Sequence, residues 1–107
     1  MSTSVIDGNI GGLFAVSITL DPASVATITA AEQDFTVPGV RVTDMAIACA
    51  MTTATAGLGI AGYRVKAANT VAVTFVNPTA GNINASSGNF RMLIARLDGD
   101  TVTGLPS

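Results

Sequence analysis

Large and small side chains alternate along most of this chain with a period of two. Phe14-Ala15-Val16-Ser17-Ile18-Thr19-Leu20 shows the pattern, and so do residues 60–67, 70–76 and 90–96. A strand sends successive side chains to opposite faces, whereas a helix repeats its apolar face every third or fourth residue. No segment carries a convincing helical repeat. Val, Ile and Thr supply about a third of the residues, the composition that pleated, half-buried surfaces favour.

Turn signals divide the alternating runs. Asp21-Pro22 stops the first strand. Residues 24–30 and 32–37 read as two short strands or one bent one. Val37-Pro38-Gly39-Val40 suits a type II turn, with Pro38 presetting φ and Gly39 free to take a positive φ. A strand is expected over about 41–51, where Met45, Ile47, Cys49 and Met51 are large and Ala46, Ala48 and Ala50 are small. The large face is expected in the core, and the alanine face is expected to let a second sheet or subunit approach. Ala68-Asn69 separates two further strands, Asn77-Pro78-Thr79-Ala80-Gly81 ends the second, and Asp98-Gly99-Asp100 turns before a short edge strand at 101–105.

Seven or eight short strands at this spacing predict an all-β fold, an antiparallel β-sandwich or jelly-roll-like single domain. Residues 13–107 form that domain, and residues 1–12 read as an extended N-terminal arm. The expected core is Phe14, Val16, Ile18, Val42, Ile47, Val65, Val71, Val73, Phe75, Met92 and Ile94.

Charge then limits function. Only 11% of residues are charged, five of them basic, for a net charge of −2. Phosphate neutralisation requires clustered Lys and Arg, so no nucleic-acid partner is expected. No apolar run approaches a membrane span, and the start lacks the basic and apolar regions of an export signal, so no membrane partner is expected either. A surface this poor in charge suits burial against other subunits. The predicted contact residues are Val5, Ile6, Ile10 and Leu13 on and beside the arm, with Ala46, Ala48 and Ala50 on the alanine face.

Catalytic chemistry finds little support. Histidine is absent, which removes the commonest general base and metal ligand. Cys49 is flanked by alanines and reads as a buried hydrophobe. Glu32 and Asp34 share one face of a strand as solvated charges, and Arg91 and Arg96 default to the surface. Asp98 and Asp100 lack the rest of a calcium loop, and Asn84-Ala85-Ser86 matches a glycosylation acceptor without an export signal. Gly57-Leu58-Gly59-Ile60-Ala61-Gly62 matches the letters of a dinucleotide-binding loop, which requires a helix to follow. Residues 63–76 alternate as strands, so these glycines are expected to punctuate a loop. No catalytic residue, cofactor or metal site is expected.

Residues 35–40 (FTVPGV), 57–60 (GLGI), 64–71 (RVKAANTV) and 73–81 (VTFVNPTAG) together resemble small virion proteins of tailed bacteriophages. The likeness spans about residues 30–96, and AANTVAVTFVNPTAG is its specific part. It implies a structural role: a capsid decoration (cement) protein that binds the major capsid protein on the outer head surface. It also implies homo-oligomerisation, with a trimer as the first expectation, synthesis in the host cytoplasm and incorporation into the virion. A short head- or tail-fibre or adaptor module for host attachment is the alternative. The resemblance carries no catalytic residues. On physical grounds Asn69 caps a tight turn, Asn77 and Pro78 end a strand, and Gly39 and Gly81 suit backbone that a Cβ would resist.

Overall fold

The computed structural model describes residues 10–53, 55–85, 87–98 and 104. Val5, Ile6, Ser86, Gly99, Asp100 and, apart from Gly104, the expected strand at 101–105 lie outside the described residues. Among the described residues six strands follow in chain order: β1 (Ile10–Leu20), β2 (Thr29–Thr36), β3 (Met45–Met51), β4 (Gly59–Ala67), β5 (Thr70–Asn77) and β6 (Gly88–Leu97). They form two antiparallel three-stranded sheets, ordered β1-β6-β3 and β2-β5-β4. The protein is an all-β sandwich. Only the β4–β5 hairpin connects neighbours within one sheet; every other connection crosses between sheets.

The fully buried row of β5, Val71, Val73 and Phe75, faces Phe90, Met92 and Ile94 of β6 across the sandwich. Phe75 makes edge-to-face contacts with Phe35 at 6.2 Å and with Phe90 at 6.3 Å between ring centroids. This geometry suits the ring quadrupoles and joins β2, β5 and β6. Leu20, Val25, Val37, Val40, Leu58 and Ala85, all from loops or strand ends, complete the core.

Several expectations are corrected. β1 begins at Ile10, so residues 10–12 are paired with β6 and do not belong to an arm. Residues 24–36 give one strand plus an isolated bridge between Val25 and Ile83. Residues 41–44 form a turn closed by the Asp44 N–H donating to the Arg41 carbonyl at 2.8 Å. Val42 is therefore exposed at a turn rather than placed in the core.

Strand β3 contains a bulge between Ala46 and Ala48: Ala46 pairs with Ile94, Ala48 pairs with Leu93, and Ile47 is the extra residue. A bulge breaks the period of two. Ala46 thus turns inward with Cys49 and Met51, while Met45 and Ile47 are exposed. Phe14 follows the inward parity of Val16 and Ile18 but lies beyond the covered part of the sandwich, and it is exposed.

The turns behave as local chemistry dictates. Gly39 has φ +89° and the Val40 N–H reaches the Val37 carbonyl, so Val37–Val40 is the expected turn. Asn69 takes φ +59° in the β4–β5 hairpin. Its side-chain Oδ1 accepts from the Gly39 N–H at 2.8 Å, so it docks one turn on another in addition to tightening its own. Gly81 is different. Its φ is not positive and a Cβ there would meet nothing within 4 Å. It serves through its carbonyl, which accepts from Asn77 Nδ2 at 2.8 Å. Pro78 follows the last residue of β5, where the ladder stops. The GLGIAG stretch enters β4 directly, with no helix after it.

Candidate interaction surface

The outer faces of the two sheets differ in character. On β2-β5-β4, Glu32 and Asp34 stand on one side of β5, and Arg64 and Lys66 stand on the other. Arg64 Nε and Nη2 donate to both Glu32 oxygens at 3.0 Å, and Lys66 Nζ donates to Asp34 Oδ2 at 2.9 Å. The Arg64 hydrogen bond holds the Glu32 carboxyl below its ordinary range and raises the guanidinium in turn. Both pairs bridge over Ala72, which they leave fully buried. This face is charged, neutralised by itself and open to solvent, so its pairs contribute little to stability.

The outer face of β1-β6-β3 carries a single charge among the described residues, Arg91. Strand register sorts its side chains into rows. Leu13, Ala95 and Met45 form one row, and Ala15, Leu93 and Ala48 form the next. Ser17, Arg91 and Ala50 follow, and Thr19 and Asn89 complete the face. Ser17 and Asn89 exchange hydrogen bonds at the polar end. At the apolar end Leu13 is 50%, Met45 42% and Ile47 48% exposed. Contiguous exposed apolar side chains on a small protein mark a contact surface more often than isolated ones do.

The predicted contact residues divide accordingly. Leu13, Ala48 and Ala50 come together on this face. Ala46 does not; it packs against the core. Ile10 is half-buried opposite Leu97 at the end of the sheet. Met45, Ile47 and Leu93 also lie on this face. Alternation assigned Met45 and Ile47 to the core, and only the bulge reverses that assignment.

One end of the sandwich is held by an ion pair that the sequence did not suggest. Arg96 Nε and Nη2 donate to the two Asp44 oxygens at 3.0 and 2.8 Å, and Nη2 also donates to the Gly39 carbonyl at 2.9 Å. The Arg41 N–H donates to Asp44 Oδ2 at 3.0 Å. The guanidinium lies 5.3 Å from the Phe14 ring centroid, within cation–π range. A cleft of about 320 Å³ opens here between Phe14 and the Pro38-Gly39 turn.

The Arg96 hydrogen bond, opposed by burial and aided by Arg41, holds the Asp44 carboxyl below its ordinary value of 3.8. A lowered carboxyl stabilises the fold above that ordinary value, and the contribution is lost as pH falls through the lower folded-state value. Asp44→Asn is expected to cost about 1–3 kcal/mol at pH 7. It is also expected to shrink the drop in thermal midpoint between pH 6 and pH 3. An undiminished drop would mean that Asp44 contributes nothing to the acid sensitivity.

Burial pushes the Cys49 thiol up, away from the thiolate form. Comparison with known protein families, curated sequences and solved structures finds no match.

Proposed function

We propose that the protein is a capsid decoration protein: it binds the major capsid protein on the outer surface of a phage head and stabilises the lattice through oligomeric contacts. One observation carries the reading, the contrast between a self-neutralised charged face and an apolar face with one charge. A structural protein that binds a shell requires a surface of the second kind, while its solvent side stays soluble through a surface of the first kind. The resemblance to phage virion proteins supports the same reading. Its specific block, residues 67–81, covers the turn of the β4–β5 hairpin, strand β5 and the exit from β5.

Many weak contacts suffice in such a role, because repeated attachment raises avidity without strengthening any single site. The apolar rows around Leu13, Met45 and Ile47 are the surface assigned to the shell.

Cryo-electron microscopy of the particles that carry the protein is the direct test. Density on the outer head lattice, with the β1-β6-β3 face toward the shell, is expected. Density confined to the tail or a vertex would overturn the reading in favour of a fibre or adaptor module. In solution, Ile47→Glu is expected to weaken binding to undecorated heads by tenfold or more while thermal stability stays within about 0.5 kcal/mol, since Ile47 is an exposed bulge residue. Unchanged binding would remove this face from the contact.

A further inference from the structure

Among the described residues the sandwich has four edge strands, β1, β3, β2 and β4. An edge strand presents unpaired backbone N–H and C=O groups, and proteins commonly blunt such edges with charge, proline, short length or a covering segment. Three of the four are blunted here. β2 carries Glu32 and Asp34, and β4 carries Arg64 and Lys66, so each would meet like charge on its own copy. β3 is short and bulged, and the Tyr63 hydroxyl of β4 donates to the Ile47 carbonyl at 2.9 Å, which ties the two edges on that side together.

β1 has none of these features. It is the longest strand, 11 residues, and IGGLFAVSITL contains no charge and no proline. Its backbone pairs only with β6 among the described residues. The irregularity near Gly11 is confined to its first residues, and register is continuous from Gly12 to Leu20. Two side chains on this strand, Leu13 and Phe14, are large, apolar and about half exposed.

We propose that β1 pairs antiparallel with β1 of a second copy about a twofold axis at Val16, which joins the two three-stranded sheets into one of six strands. The register follows from geometry. Directly opposed residues in an antiparallel pair point to the same face. A twofold axis normal to the sheet keeps each face on its own side. The axis must therefore pass at a residue facing itself, never between two residues. Centring it on the regular stretch from Gly12 to Leu20 selects Val16. Ala15 then faces Ser17, Phe14 faces Ile18 and Leu13 faces Thr19 of the second copy.

A second copy is the occupant that the charge pattern favours. Neutral β1 meets itself without repulsion, whereas β2 and β4 do not. The pairing also adds cover to Phe14, which stays 45% exposed among the described residues even with the Arg96 guanidinium over its ring. Because the rotation preserves faces, the apolar outer faces of both copies lie on the same side of the joined sheet. The inference concerns two copies in solution; it does not rest on the capsid reading and puts a dimer in place of the trimer that the resemblance implies.

Sedimentation equilibrium of the full chain tests it. A dimer is expected, and Ala15→Lys is expected to raise its dissociation constant at least tenfold by placing charge on the free edge. Ile47→Glu, on the far strand of the same sheet, is expected to leave the dimer intact while it weakens head binding. That separates failure of this contact from failure of the shell contact.

In a Cys49→Ser background, Val16→Cys is expected to form a covalent dimer under mild oxidation. Opposed Cα atoms lie about 4.5–5.5 Å apart, within disulfide reach. Thr19→Cys alone, facing Leu13, is expected to form none. A monomer at high concentration would overturn the proposal. So would a trimer, since a threefold axis cannot pair a strand with itself, and so would equal cross-linking at positions 16 and 19.

Discussion

Phe75→Ala is expected to destabilise the protein by about 3–5 kcal/mol, read as a shift in the denaturant midpoint with an unchanged slope. The site permits little relaxation. Phe75 is fully buried, and its ring contacts Phe35 from its own sheet and Phe90 from the opposite one. Truncation removes both edge-to-face contacts and leaves a cavity in the core between the two sheets, whose strands are held in ladders of their own. Against a total of about 5–15 kcal/mol for a typical domain, such a loss is a large fraction. Phe14→Ala is the contrasting case: half-exposed at the sandwich end, it should cost the isolated chain under about 1 kcal/mol. Equal losses at the two positions would contradict the packing described here.

That contrast shows where the sequence is informative. Alternation identified both Phe14 and Phe75 as inward-pointing, and both are. It carries no information about how far the opposing sheet extends, and Phe14 lies beyond it. Strands β5 and β6 were legible because their alternation runs unbroken between turn residues with recognisable chemistry, whereas β4 carries irregularities between Ile60 and Gly62 and between Val65 and Ala67 that put Ile60 and Tyr63 on the same face. Val37–Val40 and Asn69 were legible for the same reason, since only a few residue types accept those dihedrals.

β3 was misread from a single inserted residue. Before the bulge Ala46 faces the core, and after it Cys49 and Met51 do, so no single parity describes the strand. The apolar outer face was half legible as a result: Leu13, Ala48 and Ala50 lie on it, and so do Met45 and Ile47, which alternation assigned inward. The ion pairs were invisible for another reason. Glu32 and Arg64 are 32 residues apart and Asp44 and Arg96 are 52 apart, and only the pairing of non-consecutive strands brings them together. Arg96 did offer a clue, since it shares the parity of Met92 and Ile94 and a charge on an inward face requires a partner.

Asn77→Asp is expected to cost about 3–5 kcal/mol at pH 7 and distinctly less near pH 4. Sequence reading gave Asn77 the modest role of ending a strand. In the fold it is fully buried and joins three segments. Its Nδ2 donates to the Val25 carbonyl at 3.0 Å and to the Gly81 carbonyl at 2.8 Å. Its Oδ1 accepts from the Thr79 N–H at 2.9 Å and from the Thr79 hydroxyl at 2.6 Å. Aspartate has the same shape, but it replaces the double donor with an oxygen facing two carbonyl acceptors.

A carboxylate in that position is both desolvated and repelled, so its folded-state pKa rises above the ordinary value. The sign is then opposite to that of Asp44. The folded state of the variant binds protons more readily than the unfolded state, and its stability falls as pH rises through the ordinary aspartate value. At low pH the carboxylic acid can donate to one carbonyl and recover part of the lost bonding. Thermal unfolding of both proteins at pH 4 and pH 7 should therefore give a larger gap at pH 7. An equal gap at the two pH values would mean that water reaches position 77 and solvates the new charge. The loop from Asn77 to Ile83 would then open without unfolding the sandwich, and Asn77 could not be the tie that holds Val25 against it.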